Sequence, residues 1–337
     1  MTHPVFGALI ARQLEQMWHV LGEPPVFHVV EVGSGDGSLA QSIVHACRRA
    51  APGLARALYY VAADYEPRCL LSPAHGVGRD ARTEDGMLPR GRDAIVDVQS
   101  VQTAGLRAFR NVVGCILCNE LIDNFPVHRF AIEGGRVKEV FVTSAGGNLS
   151  EVLDEPSSPR IEERLTGLGL SLSEGYRGEV NLAMEDWTGQ ILGALERGFV
   201  LTIDYGQLAE ELYAPENDQG TLVCHHRHVI GNNPYQAIGQ QDITCQVDFT
   251  SLMRLGERHG LSTIGYALQS QFLTNLGFSA YLDALPAQNL SAARTALSRM
   301  AMMALVDPQE YGDFKVLAQA KGLDADIKLL GFAGPGI

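Results

Sequence analysis

Two kinds of pattern alternate along the chain: apolar residues recurring at helical spacing, and short unbroken apolar runs bounded by glycine, proline or acids. Residues 6–21 place Phe6, Leu9, Ile10, Leu14, Met17, Trp18 and Leu21 near one helical stripe, which Gly22, Pro24 and Pro25 end. The run over 28–33 predicts a buried strand that enters a turn with glycines at 33, 35 and 37, then a helix over 39–49. A second strand over 57–64 closes on Asp64. A third over 94–101 is weakly marked, and a fourth over 112–118 runs into Asn119. Alternation over 130–142 around Gly134 and Gly135 predicts a β-hairpin.

Residues 71–92 and 144–175 are polar and turn-rich, so both predict irregular chain, the second with an inserted helix. A helix around Trp187 is expected over 179–195, and a buried strand over 198–203 ends in Asp204, Tyr205 and Gly206. A long loop over 207–242 then leads to a helix over 248–259 capped by Asp248. A strand over 261–268, a mainly helical 272–305, a last strand over 314–320 and a frayed tail complete the chain. This order predicts an α/β fold built on a mostly parallel sheet whose final strand runs antiparallel.

Composition narrows the function. Of 337 residues, 46% are apolar and 19% charged, enough for a large core, and no apolar run reaches the length of a membrane helix. A formal charge of −13 argues against binding a phosphate backbone. The N-terminus lacks the features of a signal peptide or a targeting segment, so a cytoplasmic protein is expected. Cys115 and Cys118 form a C-x-x-C pair inside a strand, where residues three apart face opposite sides, so reduced core cysteines are expected rather than a redox or zinc site. Cys224, His225, His226 and His228 lack a recognised metal-ligand spacing, and a hydrogen-bonded loop is expected there, with no metal.

The glycine turn carries the most chemistry. A dinucleotide fingerprint would place its third glycine, or alanine, at position 38, where Ser38 stands. Glu31-x-Gly33-x-Gly35-x-Gly37 is instead the pattern of enzymes that bind S-adenosyl-L-methionine (SAM) on a Rossmann-like sheet. Asp64 ends the second strand, where a carboxylate accepts hydrogen bonds from a ribose. A second polar stretch, Asn119-Glu120-Leu121-Ile122-Asp123-Asn124-Phe125-Pro126, follows the fourth strand, and Glu120 and Asp123 could converge on one ligand there.

These motifs resemble the MidA-like class I SAM-dependent methyltransferases, which include a mitochondrial complex I assembly factor that methylates a protein arginine. Pro4 to Gly7, Glu31 to Gly37, Asn119 to Val127, Glu179 to Asn181, Ile203 to Gly206, Gly239 to Thr244, Val247 to Phe249 and Gly312 to Leu317 carry the resemblance. It implies a Rossmann-like class I methyltransferase with a mostly parallel seven-stranded sheet, an inserted hairpin and helical cap, and C-terminal helices. The SAM-binding domain is expected over 1–130 and 196–337, with 131–195 covering the substrate. Glu31, Gly33, Ser34, Gly35, Asp36, Gly37, Asp64 and Asn119 are the expected cofactor residues. Glu120, Asp123, His128 and Tyr205 are the expected catalytic ones.

Two departures stand out. The chain begins almost at Pro4 to Gly7, whereas members of the family carry a further segment before it, which implies a more open site or a different cover. Asp64, followed by Tyr65, Glu66 and Pro67, stands where the family has Glu followed by Ser-Pro. The expected activity is methyl transfer by in-line displacement, to a protein arginine nitrogen or else to a small or carrier-bound metabolite. For a metabolite acceptor, His225, His226 or His228 could also act as the base. A non-catalytic assembly factor is a third reading. Expected partners are the methyl acceptor, with no nucleic acid and no membrane; monomer and homodimer both stay open.

Overall fold

The computed structural model describes residues 3–65, 98–103, 105–226, 229–288, 290–324 and 326–334. Expectations for 71–92, the first half of the third strand, His228 and the last residues of the tail lie outside these. Among the described residues, contacts divide the chain into two compact units. One draws on 1–119, 188–204 and 256–337, the other on 120–187 and 205–255. The second unit takes in most of the expected 131–195 insert and adds 205–255 to it.

The first unit is built on seven strands: β1 Phe27–Val32, β2 Leu58–Asp64, β3 Gln99–Gln102, β4 Val112–Asn119, β5 Leu195–Asp204, β6 Ser262–Leu268 and β7 Lys315–Lys321. Their order across the sheet is β6-β7-β5-β4-β1-β2-β3. Strand β7 pairs antiparallel with both neighbours, while β1 to β5 run parallel, as the sequence pattern predicted. All six residues of β1 are buried, His28 and Glu31 included, which is why its apolar residues fall on both faces and do not alternate with exposed polar ones. The helices α1 Pro4–Val20 and α2 Ser38–Ala50 bury Leu9, Ile10, Leu14 and Ile43 in the same core as Phe27, Tyr60 and Phe199. From β1 the chain moves outward through β2 and β3, then returns to β4 on the other side of β1. The ends of β1 and β4 therefore form the switch point at which open α/β sheets place ligands.

The second unit departs more from expectation. The hairpin of His128–Glu133 and Arg136–Ala145 forms around Gly134 and Gly135, both with positive φ, and the Glu174 carboxylate accepts both turn N–H groups. Residues 148–154, expected as irregular chain, are a strand on the outer edge of this hairpin. The expected start of a helix at 179 is also corrected: Arg177–Val180 pairs with His128–Glu133, and the helix runs Ala183–Ala194. The expected 207–242 loop contains Val223–His226, which with Val229–Gly231 and Asp242–Thr244 forms a three-stranded antiparallel sheet. Phe130, Ile161, Tyr176, Leu212 and Tyr213 are among the residues of this unit's own core.

Candidate active site

The turn after β1 is fixed by β2. Gly33, Gly35 and Gly37 all have positive φ, at 76°, 52° and 73°, a conformation that other residues adopt only under strain. The Gly33 and Ser34 N–H groups both donate to the Ala63 carbonyl, at 2.9 and 3.3 Å. The Gly35 N–H donates to Asp64 Oδ2 at 2.8 Å. Asp36 Oδ1 accepts from the Ser38 N–H at 3.0 Å, and this bond holds its carboxyl below the usual range. Asn119 ends β4, half-buried, across the switch point.

Glu31 lies beneath the turn and is only 3% exposed. Its Oε2 accepts from the wholly buried Tyr60 hydroxyl at 2.7 Å. Burial pushes the Glu31 carboxyl up to about 7; the Tyr60 bond pulls the other way, and Asp36 and Asp64 add to the rise. Burial and the Glu31 charge push the Tyr60 phenol well above its ordinary value, so it stays a donor.

A SAM molecule suits these residues. A Cβ built on Gly35 would meet no atom within 4 Å, so the turn is open to a ligand. Ser34 Oγ is buried without a hydrogen-bond partner, and the carboxylates of Asp36 and Asp64 supply acceptors for a cationic, hydroxyl-bearing group.

In the second unit, Glu120 and Asp123 differ in character. Glu120 is exposed and has φ +50°, a rare left-handed conformation for a residue other than glycine. Asp123, in a short 3₁₀ turn over Ile122–Asn124, is only 5% exposed. Its Oδ2 accepts from the Tyr205 hydroxyl at 2.7 Å, and its Oδ1 from the Asn124 amide at 2.7 Å. Burial raises the Asp123 carboxyl, and these two bonds oppose the rise. The Cys245 N–H donates to the Asp123 carbonyl, and the Asn181 amide to that of Ile122, so the stretch is pinned from two further segments.

His128 Nδ1 lies 2.7 Å from Glu139 Oε1, and Glu139 Oε2 accepts from the Ser157 N–H. Burial pushes the Glu139 carboxyl up, but the bonds from His128 and Ser157 prevail and keep it below the usual range. Sequence patterning did not single out Glu139 or Tyr60. The adjacent tyrosines Tyr59 and Tyr60 near the start of a strand that is apolar from there to Asp64 were the available signal for Tyr60. His225 and His226 alternate on a strand, and His226 Nδ1 lies 2.5 Å from the Gln240 carbonyl. Among the described residues, no three His, Cys, Asp or Glu side chains gather as metal ligands. Burial pushes the Cys115 thiol up to about 12 and the Cys118 thiol well above its ordinary value, so both remain unionised inside the sheet.

Residues 9–267 match the sequence model of a family described as "Putative S-adenosyl-L-methionine-dependent methyltransferase". The chain is 25% identical over 336 residues to the mitochondrial protein arginine methyltransferase NDUFAF7 homolog of Drosophila melanogaster, which takes in 95% of this chain and 73% of that protein. It is 25% identical over 333 residues to mitochondrial NDUFAF7 of Mus musculus, across 92% of this chain and 70% of that one. Among solved structures, a Burkholderia thailandensis protein with S-adenosyl-homocysteine bound is similar at a TM-score of 0.80 and 28% identity, over 99% of this chain and 80% of that one. A native crystal structure from the same organism gives 0.79 and 28%, over 99% and 82%. Among the described residues, no helix is long and apolar enough to cross a membrane.

Proposed function

The chain belongs to this family of SAM-dependent methyltransferases, and from that premise we propose that it methylates a nitrogen of a protein arginine side chain. The fly and mouse relatives, both protein arginine methyltransferases, support this acceptor. The observation that carries it is Glu120: an exposed carboxylate held in a strained backbone directly after β4.

When bound, SAM supplies a methyl group on a sulfonium, ready for in-line displacement. Gly33, Ser34, Gly35 and Gly37 shape the turn that receives it, and Asp64 accepts from its ribose. Glu31 and Asp36 contribute negative charge, and Asn119 closes the β4 side. A guanidinium is a permanent cation with five donors, so Glu120 binds it through charge-assisted bonds and favours lone-pair density on the attacking nitrogen. Asp123 and Tyr205 hold the stretch that carries Glu120. His128, its Nδ1 turned to Glu139, takes the proton that the nitrogen loses.

The test is incubation with methyl-labelled SAM and either cell protein or a metabolite extract. Methylarginine in hydrolysed protein is the expected product. Label confined to small molecules would refute the arginine acceptor and favour a metabolite.

A further inference from the structure

We propose that Glu31, positioned by Tyr60, lets the cofactor site discriminate between SAM, whose sulfur is cationic, and the product S-adenosyl-homocysteine, whose sulfur is neutral. This rests on the glycine turn being the cofactor site.

The argument starts from register. Glu31 pairs with Ala62 and Val29 with Tyr60, so the Tyr60 side chain reaches diagonally along the sheet to meet the Glu31 carboxyl. The charged groups acting on Glu31 are the carboxyls of Asp36 in the turn and Asp64 at the end of β2. Cys115 on β4 and Cys47 on α2 share the core on the Tyr60 side, and Cys118, on the other face of β4, feels the Glu31 charge; all three thiols are neutral. His28 is carried on the opposite face of β1. Among the described residues, no basic side chain bonds to Glu31. A buried carboxyl with acidic neighbours and no cation is stable only when neutral, unless a cation arrives.

The turn directly above is where a cation would arrive. Ser34 Oγ is buried there without a partner, and the space beside Gly35 is open. A sulfonium near the turn favours the Glu31 carboxylate: the carboxyl O–H bond breaks, its proton leaves to solvent, and Tyr60 keeps its own proton and donates to the new charge. The neutral sulfur of the product gives no such drive. SAM therefore gains over the product as pH rises, and loss of the sulfonium charge on methyl transfer weakens the hold on what remains. Burial already places this carboxyl at about 7, so the change falls in the neutral range.

The experiment is titration calorimetry of SAM and of S-adenosyl-homocysteine from pH 5.5 to 8.5 on the wild type, Glu31→Gln and Tyr60→Phe. The amino group is common to both compounds and cancels in the ratio of affinities. In the wild type the ratio is expected to rise in favour of SAM by about tenfold, the scale of two unit charges roughly 12 Å apart at an effective dielectric constant of about 20. It should be flat in Glu31→Gln. In Tyr60→Phe, which loses the bond favouring the carboxylate, the rise should move up by about one pH unit. Binding of both compounds with a flat wild-type ratio, or an unchanged rise in Glu31→Gln, overturns the proposal and leaves the site assignment intact. Binding of neither compound overturns the site assignment itself.

Discussion

The Tyr205 hydroxyl donates to Asp123 Oδ2 at 2.7 Å, joining the residue after β5 to the stretch after β4. This bond opposes the rise that burial imposes on the Asp123 carboxyl. In Tyr205→Phe the carboxyl rises further, and a buried oxygen loses its partner at a cost of about 1–3 kcal/mol. The ionised form is favoured above the carboxyl's own value, so the acid limb of the rate profile should move to higher pH. Steady-state rates from pH 5 to 9 would show it, with kcat lowered by roughly tenfold or more.

Glu120 separates strain from chemistry. Glycine adopts φ +50° freely, so Glu120→Gly should raise stability by about 1 kcal/mol while removing the carboxylate. Glu120→Gln keeps both the shape and the strain and should lower turnover by about a hundredfold. In both variants SAM affinity should stay within about twofold of wild type, since the expected loss is in acceptor binding and charge placement. Thermal melts and calorimetry test the two halves; a Glu120→Gln enzyme that turns over normally would remove Glu120 from the mechanism.

Glu31 gives a stability effect opposite in sign to its effect on SAM. Its folded value of about 7 lies above the ordinary 4.5, so the folded chain holds this proton more tightly than the unfolded chain does. The resulting stabilisation is complete below about 4.5 and is lost as pH rises through about 7, a change of up to about 3 kcal/mol. Glu31→Gln should therefore gain stability on the wild type between pH 5 and 8 when no cofactor is present. Urea unfolding at several pH values measures the gap.

Asp64 serves the turn and is proposed to hold the ribose. Asp64→Ala removes the acceptor for the Gly35 N–H as well as the proposed ribose contact. SAM and S-adenosyl-homocysteine should both weaken, by about 10- to 100-fold, because a buried or liganded hydrogen bond to a charged group contributes about 1.5–3 kcal/mol. Equal loss for both compounds in calorimetry distinguishes this residue from Glu31, whose effect is selective.

What could be read from sequence was what packing makes regular. Val29, Val30 and Val32 are covered on both faces, so β1 and the turn behind it were legible, as were Asp64 and the seven-stranded sheet. The strand Asn148–Asp154 was not: it lies on the outer edge of its sheet with most side chains exposed, and so carries no apolar face to betray it. Arg177–Val180 is a strand through a partner distant in sequence, His128–Glu133, and Val223–His226 is a short strand that pairs with two still shorter ones, Val229–Gly231 and Asp242–Thr244. The Tyr60–Glu31 contact depends on strand register, and the left-handed backbone at Glu120 is invisible in a residue type that normally avoids it. The acidic pair after β4 was recognised, but that one member is exposed and the other bonded through both oxygens depends on Tyr205 and Asn124.

Strand β7 lies between β5 and β6, yet its residues are made about fifty positions after β6 leaves off. On a ribosome, the nascent chain holds β5 with one side unpaired and β6 with no neighbour until residues 315–321 emerge. The half that holds β1 and β2 can form early, from a local βαβ unit. Completion of the sheet waits for residues 315–321, and for that interval the two unpaired strands are the part of the molecule most in need of a chaperone.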